Sequence, residues 1–232
     1  MYNILLLDLD DTIFDFHKQE KVAIEKTLSG AGIAPTEENC ILYSQINDKY
    51  WKRLEKGEVT RQQVLVGRFE ELFATLGVSG NAEKTALAYM ENLSQRHYFL
   101  PGAEEALIQL QKKYRLFLVS NGTASVQERR LQSAGIEKYF EGIFISQNVG
   151  VNKPAKGFFD YCFERISGFN MQKAIIIGDS LTSDILGGKN AGIATCWVNP
   201  DNKPTREDIC PDYQIASLTE LPAMLESLSV TV

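Results

Sequence analysis

The 232-residue sequence has no apolar stretch close to the roughly 20 residues that a membrane-spanning helix needs. Its apolar N-terminal segment carries acids at Asp8 and Asp10, where a secretory signal peptide would stay apolar. It also has no run of Lys or Arg that would attract a nucleic acid or an anionic membrane, and its formal charge is −6. These absences predict a cytoplasmic protein that binds neither a nucleic-acid polymer nor a membrane.

Cysteine is scarce, and no two cysteines have the CxxC spacing typical of a zinc site or a redox pair. We therefore expect reduced, mostly buried thiols at Cys40, Cys162, Cys196 and Cys210. The sequence also lacks internal repeats and low-complexity segments. Its length and its hydrophobic content of 44% are enough for one sizeable core, or for a core with a small accessory domain.

Five short apolar segments, rich in Leu, Ile, Val or Phe, predict buried strands. They do not alternate with polar residues, so both faces of the sheet should be covered. The strands are predicted at 3–8, 115–120, 142–146, 174–179 and 194–199. Helical patterns follow the order of the strands near 103–113, 123–134, 155–167 and 181–191. This alternation predicts an α/β fold, a Rossmann-like doubly wound parallel sheet.

Strand patterns disappear between about residues 17 and 97, where apolar residues recur every three or four positions. Helices are predicted near 18–30, 37–55, 60–77 and 81–96, separated by turn signals. The simplest account is an all-helical domain inserted after the first strand. We therefore predict a core of residues 1–16 and 98–232 and a helical cap domain of residues 17–97.

The segment LLLDLDDT places Asp8 at the carboxyl end of the first strand, where open α/β sheets bind their ligands. An Asp-rich turn can be purely structural, because Asp and Thr are common in turns and helix caps. In the functional interpretation, Asp8 attacks phosphorus, while Asp10 protonates the leaving alkoxide and then deprotonates the hydrolytic water. Like charges about 4 Å apart repel by about 4 kcal/mol at an effective dielectric constant of about 20, so such a site needs a cation.

Two other strand ends carry polar groups suited to a phosphate. After the second strand, Ser120 and the amides of Asn121 and Gly122 can donate hydrogen bonds to phosphate oxygens, although Ser-Asn-Gly is also an ordinary turn. Lys153, at the start of the helical pattern after VGVN, can neutralise Asp8 and the phosphoryl oxygens. The alternative for a single lysine is a solvated surface position.

The segment IIIGDSLTSD places Asp179 at the end of another buried strand and Asp184 in the following turn or helix. Asp8, Asp179 and the carbonyl of Asp10 would suit Mg²⁺, which prefers oxygen ligands in octahedral geometry. Asp184 is predicted to orient metal-bound waters or the Lys153 ammonium, in the second shell of the metal. The alternative for Asp179 is a helix N-cap. The conjunction of these groups at four strand ends favours a single site.

The ordered motifs DLDDT, VSN, KP and GDSLTSD, with a helical insertion between the first two, resemble the haloacid dehalogenase superfamily of phosphatases. The resemblance implies that Asp8 is the nucleophile, Asp10 the general acid/base, Ser120 the phosphate binder and Lys153 the charge stabiliser, with Asp8, Asp10 and Asp179 as Mg²⁺ ligands. The glycine that usually follows the second acid is Asp11 here.

Three longer segments, EVTRQQVLVGRFEEL, SQNVGVNKP and SDILGGKNAGIATCWVNP, resemble the branch of cytoplasmic 5′-nucleotidases that hydrolyse pyrimidine nucleoside monophosphates, including noncanonical ones. This implies a small phosphorylated metabolite, a nucleoside monophosphate, as substrate. Sugar-phosphate phosphatase and phosphomutase activities use the same catalytic groups, and a non-enzymatic phosphoacceptor receiver domain is a further alternative. Monomer and homodimer both remain open.

Selectivity should reside in the cap, because a helical insertion after Asp8 and Asp10 is placed to cover a phosphate site. The candidates to stack on or hydrogen-bond a base are Phe14, Phe16, Trp51 and Arg68. The alternative is that aromatic residues at helical spacing form the core of the cap.

Overall fold

The computed structural model describes residues 1–230, and its central element is a six-stranded sheet. The strands are β1 (Ile4–Leu7), β2 (Arg115–Ser120), β3 (Gly142–Ile145), β4 (Ala174–Gly178), β5 (Ala194–Val198) and β6 (Tyr213–Ile215). Their order is β3-β2-β1-β4-β5-β6, and every neighbouring pair is parallel. The predicted α/β class with a doubly wound parallel sheet is confirmed.

Strand β1 shows why these apolar segments become central strands. Successive side chains of a strand point to opposite faces, so Leu5 and Leu7 enter one hydrophobic cluster while Ile4 and Leu6 enter another. All four side chains are at most 1% exposed. Both faces of the sheet are therefore covered, which is why the strand is apolar throughout instead of alternating with polar residues.

Helices pack on both faces of this sheet and also form a separate unit. The helices are α1 (Phe16–Gly30), α2 (Glu37–Glu55), α3 (Arg61–Leu76), α4 (Ala82–Ser94), α5 (Ala103–Leu110), α6 (Ala124–Ala134), α7 (Ser146–Val149), α8 (Lys156–Arg165), α9 (Leu186–Ala191) and α10 (Leu221–Val230). Residues of α5 and α10 join the cluster of Leu5, whereas residues of α8 and α9 join that of Leu6.

The chain divides into two compact units. One comprises Met1–Asp15 and the part from Tyr98 onward, and contains the sheet; the other, Phe16–His97, contains α1 to α4. Within the first unit the two linking segments pair with each other: the amide of Asp15 donates to the carbonyl of Tyr98 at 2.8 Å, and that of Leu100 to Ile13 at 2.9 Å. The point where the chain leaves this unit thus lies beside the point where it returns.

The helical unit has a core of its own. Tyr43 from α2, Phe69 from α3 and Tyr89 from α4 are nearly fully buried, with ring centroids 5.1 to 5.7 Å apart. Helix α3 begins with a capping box between Thr60 and Gln63, in which each side chain accepts a hydrogen bond from the other residue's backbone. The four helices lie within a few residues of their predicted bounds.

Sequence patterns missed three elements of the sheet unit. Strand β6 has three residues and α7 has four, which is too short for a periodicity to show. The sequence also gave no prediction for α10, whose second residue is Pro222; proline is tolerated there because the first turn needs no amide donor.

The predicted helix at 181–191 begins as a wide π-helical turn, Leu181–Ile185, before α9. The amide of Ile185 donates to the carbonyl of Ser180, five residues earlier, at 3.1 Å.

The four cysteines are free thiols, three of them buried and Cys210 exposed. None of the helices in residues 1–230 has the length and apolar character needed to cross a membrane.

Candidate active site

Asp8 and Asp179 directly follow β1 and β4, which are adjacent in the sheet. The strand order reverses between these two strands, since the chain proceeds from β1 toward β3 on one side and from β4 toward β6 on the other. At such a switch point the loops leave in opposite directions and a crevice opens at the carboxyl ends of the strands. The sequence-predicted acids therefore lie where this fold binds ligands.

Lys153 forms the centre of the site. Its Nζ lies 2.6 Å from Oδ1 of Asp8 and 2.6 Å from Oδ1 of Asp184, and it donates to the carbonyl of Val119 at 2.8 Å. The side chain is 1% exposed, so the alternative of a solvated surface lysine is excluded. Burial by itself would lower the pKa of Lys153, but the carboxylates of Asp184 and Asp8 outweigh it and raise that pKa, keeping the ammonium charged.

Three carboxylates gather around this ammonium. One oxygen from each of Asp8, Asp179 and Asp184 lies within 4.8 Å of the others. Burial raises the pKa of Asp8 to about 8; the Lys153 ammonium opposes this shift, and the charge of Asp184 adds to it. Burial also raises the pKa of Asp179 well above its ordinary value, and the charges of Asp8 and Asp184 raise it further.

This donor set fits a divalent metal ion. Three carboxylates and one ammonium leave two formal negative charges in a mostly buried space, which a divalent cation would balance. The ligand atoms are all hard oxygens, as Mg²⁺ and Ca²⁺ prefer. The sequence predicted Asp8 and Asp179 as ligands through their side chains, and Asp184, predicted for the second shell, lies in the same group.

The π-helical turn places Asp184. Its Oδ2 accepts a hydrogen bond from the amide of Ser180 at 3.1 Å, while Oδ1 accepts from Lys153. A β-carbon at Gly178 would lie 2.2 Å from Oδ2 of Asp184, so the carboxylate occupies space that only glycine leaves open. Asp184 thus orients the Lys153 ammonium, one of the two roles that the sequence suggested for it.

The loop after β2 presents Ser120, Asn121 and Gly122 to the same region. Ser120 is 1% exposed, and its Oγ accepts hydrogen bonds from the Gly122 amide at 3.1 Å and from the Gln127 amide group at 3.0 Å. The Gly122 amide, which the sequence predicts to bind phosphate, donates to Ser120 in this structure. The Asn121 side chain brackets the backbone of Lys153, accepting from its amide and donating to its carbonyl, each at 2.9 Å.

Asp10, predicted as the general acid/base, has a carboxylate held by two residues that the sequence did not reveal. Gln127 Nε2 donates to Oδ2 of Asp10 at 2.7 Å, and Arg130 donates to Oδ1 at 2.6 Å. Both residues lie on α6, spaced like Leu131 and Ala134 along one helical face. Gln127 and Arg130 share a helical face with the buried Leu131. Polar residues on such a face were the sequence signal that could have revealed them.

Burial of the side chain corrects two of the predicted substrate contacts, those of Phe14 and Arg68. Phe14 is 0% exposed and packs in the sheet core against Phe99 and the guanidinium of Arg130, so its ring offers no face to a ligand. Arg68 is buried in the helical unit, where it donates to Asn47 at 2.7 Å and its guanidinium carbon lies 4.8 Å from the ring centroid of Tyr89. Both side chains pack inside the protein.

The other two aromatic candidates lie at the surface of the helical unit. Trp51 is partly buried and packs against Leu54, Val59 and Val64, with the Arg61 guanidinium 5.5 Å from its ring centroid. Phe16 is the first residue of α1 and is also partly buried. Neither ring is part of the acid and lysine cluster, whose residues all belong to the sheet unit.

Residues 2–192 match the haloacid dehalogenase-like hydrolase family, and the chain belongs to that family. It is therefore an enzyme, a hydrolase. The HAD-hydrolase YfnB of Bacillus subtilis is 39% identical over 220 residues, which cover 95% of this chain and 94% of YfnB. The pyrimidine 5′-nucleotidases PynA of Streptococcus pneumoniae and YjjG of Escherichia coli are 35% and 32% identical over 221 residues each, covering 95% of this chain and 93% and 96% of those proteins.

The fold agrees with that of a relative solved by crystallography. The orthorhombic crystal structure of YfnB, bound to magnesium and revealing interdomain movement, matches this chain with a TM-score of 0.92 at 38% identity, over 97% of this chain and 98% of YfnB. The resemblance inferred from the sequence motifs is thereby confirmed: the family is the predicted one, and its members related to this chain include two named pyrimidine 5′-nucleotidases.

Proposed function

We propose that this protein is a phosphomonoesterase that transfers a phosphoryl group to Asp8 and from there to water. The observation that carries the proposal is the position of the Lys153 ammonium, 2.6 Å from both Asp8 and Asp184 at the switch point of the sheet. A carboxylate that attacks a phosphate dianion must overcome repulsion between like charges. A buried, fixed cation beside the nucleophile lowers that barrier without reorganising during the reaction.

Asp8 supplies the nucleophile. Lys153 holds one oxygen of its carboxylate, which leaves the other oxygen for the attack on phosphorus. Asp184 and the carbonyl of Val119 fix the ammonium in turn. The side chain of Asn121 fixes the backbone of Lys153, so the ammonium is anchored at both ends of its residue.

Ser120 binds a phosphoryl oxygen. A hydroxyl has one proton to donate and two lone pairs that accept. Because Ser120 Oγ accepts from both Gly122 and Gln127, its own proton is left for a ligand. Asp10 serves as general acid toward the leaving alkoxide and as general base toward the water that cleaves the aspartyl-phosphate.

We propose that the resident cation is Mg²⁺, held by the carboxylates of Asp8 and Asp179 and the carbonyl of Asp10, with Asp184 beside them. When bound, it would neutralise negative charge on the nucleophile and on the phosphoryl oxygens. The magnesium in the YfnB crystal structure supports this choice of metal.

We propose a pyrimidine nucleoside monophosphate as substrate, supported by the names of PynA and YjjG. We also propose that Phe16–His97 is a cap domain that governs selectivity, and that the remaining chain is the catalytic core. The side chains of the acid and lysine cluster all come from the latter, which supports this division.

The test is phosphate release from a panel of nucleoside monophosphates and sugar phosphates, with Mg²⁺ and with a chelator. We expect repeated turnover with Mg²⁺, fastest on pyrimidine nucleotides, and none for Asp8→Asn. Preference for sugar phosphates, or transfer of the phosphoryl group to a sugar, would replace the nucleotidase assignment with the corresponding alternative. A protein that retains one acyl phosphate without turnover would be a receiver, and the phosphatase proposal would be wrong.

A further inference from the structure

Arg130 is fully buried, although it is a charged residue on a surface helix of the sheet unit. Arginine is seldom fully buried unless its charge is paired. Its NH1 donates to Oδ1 of Asp10 at 2.6 Å and to Oε1 of Gln127 at 2.8 Å. The guanidinium carbon lies 5.1 Å from the ring centroid of Phe14, so a rigid aromatic face supports it.

Gln127 completes the arrangement. Its Nε2 carries two protons, and the structure uses both: one is donated to Oδ2 of Asp10 at 2.7 Å and the other to Oγ of Ser120 at 3.0 Å. Its oxygen accepts from Arg130, which fixes the orientation of the amide. A β-carbon at Gly122 would lie 2.2 Å from this Nε2, so glycine at that position leaves the space that the amide fills.

We propose that Gln127 and Arg130 are positioning residues for Asp10, and that Gln127 also ties Asp10 to the phosphate-binding Ser120. The inference rests on the proposed function, in which Asp10 transfers protons. Each oxygen of the Asp10 carboxylate has its own donor, and the two donors are hydrogen-bonded to each other. The carboxylate therefore has one fixed orientation, although its side chain is 26% exposed and would otherwise rotate.

A purely structural role for the pair would make a different prediction. If Arg130 only stabilised the fold, its loss would affect every substrate alike. If it positions a general acid, its loss matters most when the leaving group needs a proton. The alkoxide of a nucleoside needs one, whereas p-nitrophenolate is a stable anion that leaves without help.

The experiment compares first-turnover rates of Arg130→Met on uridine 5′-monophosphate and on p-nitrophenyl phosphate, both measured with Mg²⁺. Methionine fills similar space in apolar surroundings and removes the charge. We expect nucleoside release to slow by about 10- to 100-fold with KM changed less than about threefold, and p-nitrophenolate release to stay within about threefold of the wild type. Arg129→Met, the same substitution one residue earlier at an exposed position, is the matched control and should leave both rates unchanged.

Gln127→Met is the second variant and should show the same dependence on the leaving group, because it removes the donor to Oδ2 of Asp10. If the melting temperature shows that Arg130→Met does not fold, Gln127→Met alone tests whether the pair positions Asp10. Equal losses on both substrates, unchanged nucleotide rates, or loss of folding in both variants would overturn the inference. A wild-type protein that releases phosphate from neither substrate would instead overturn the proposed function, and the inference with it.

Discussion

The ammonium of Lys153 lies 2.6 Å from Oδ1 of Asp184, and both side chains are 1% exposed. Such a buried pair is costly to desolvate and is held by its geometry and its additional hydrogen bonds. Here those bonds come from the carbonyl of Val119 and the amide of Ser180. The pair keeps a positive charge beside Asp8 in a space where water cannot screen it.

Replacing Lys153 by methionine removes that charge and should lower kcat by at least about 100-fold, the cost typical of losing one preorganised electrostatic group. The rate of phosphate release at saturating substrate measures this fall in kcat. Lys156→Met is the matched control, because Lys156 lies three residues away, is exposed and pairs with Asp160 at the surface. A Lys153→Met enzyme with nearly native kcat would remove the lysine from the reaction.

Gly178→Ala should disable the enzyme without touching any charged residue. The new β-carbon would overlap the Asp184 carboxylate, with 2.2 Å to Oδ2, so the carboxylate must move away from Lys153. We expect kcat to fall by about tenfold or more, since displacements of about 1 Å in a site have large effects on rate. Gly157→Ala is the control, because a β-carbon there is 3.9 Å from its nearest neighbour, in Val151. Equal activity of the two variants would contradict the prediction.

Magnesium should stabilise the folded protein, because the proposed metal site is a group of acids that lie together only in the native state. One site at about 100 times its Kd adds about 2.7 kcal/mol to the free energy of unfolding, seen as a rise in Tm. Asp179→Asn should lose this rise together with the activity, whereas Asp201→Asn, an exposed acid paired with Lys203, should keep both. A Tm that Mg²⁺ raises equally in all three proteins would place the ion elsewhere.

Glu20 should make the stability of the helical unit depend on pH. Burial raises the pKa of its carboxyl above the ordinary value of 4.5, although hydrogen bonds from Ser44 and Asn47 lower it. A raised pKa in the folded state means that the native protein binds this proton more tightly than the unfolded chain does. The contribution of Glu20 to the free energy of unfolding is therefore complete below pH 4.5 and is lost as the pH rises through the folded-state pKa.

Glu20→Gln should remove this contribution. As the pH rises from 4.5 to neutrality, the Tm of the variant should therefore fall less than the Tm of the wild type. Melting curves across that range, with Glu70→Gln at an exposed position of α3 as control, provide the measurement. Parallel curves for wild type and Glu20→Gln would show that Glu20 does not titrate in this way.

Sequence patterns predicted the strands and the acids because both depend on local chemistry. A central parallel strand must be apolar on both faces, so segments such as 174–179 stand out from the rest of the chain. Ligands bind at the carboxyl ends of such strands, so the position of Asp8 and Asp179 in the sequence was enough to place them together. The order of the motifs along the chain then indicated the family and, with it, a role for each of these residues.

The tertiary structure alone decided which side chains hold the carboxylate of Asp10. No local pattern shows that Arg130 donates to Asp10, or that Phe14 supports Arg130 instead of facing a ligand. The hydrogen bond between Arg130 and Asp10 joins residues 120 positions apart in the sequence. Burial and pairing of side chains depend on which elements meet, and that is set by packing of the whole sheet unit, not by any one segment.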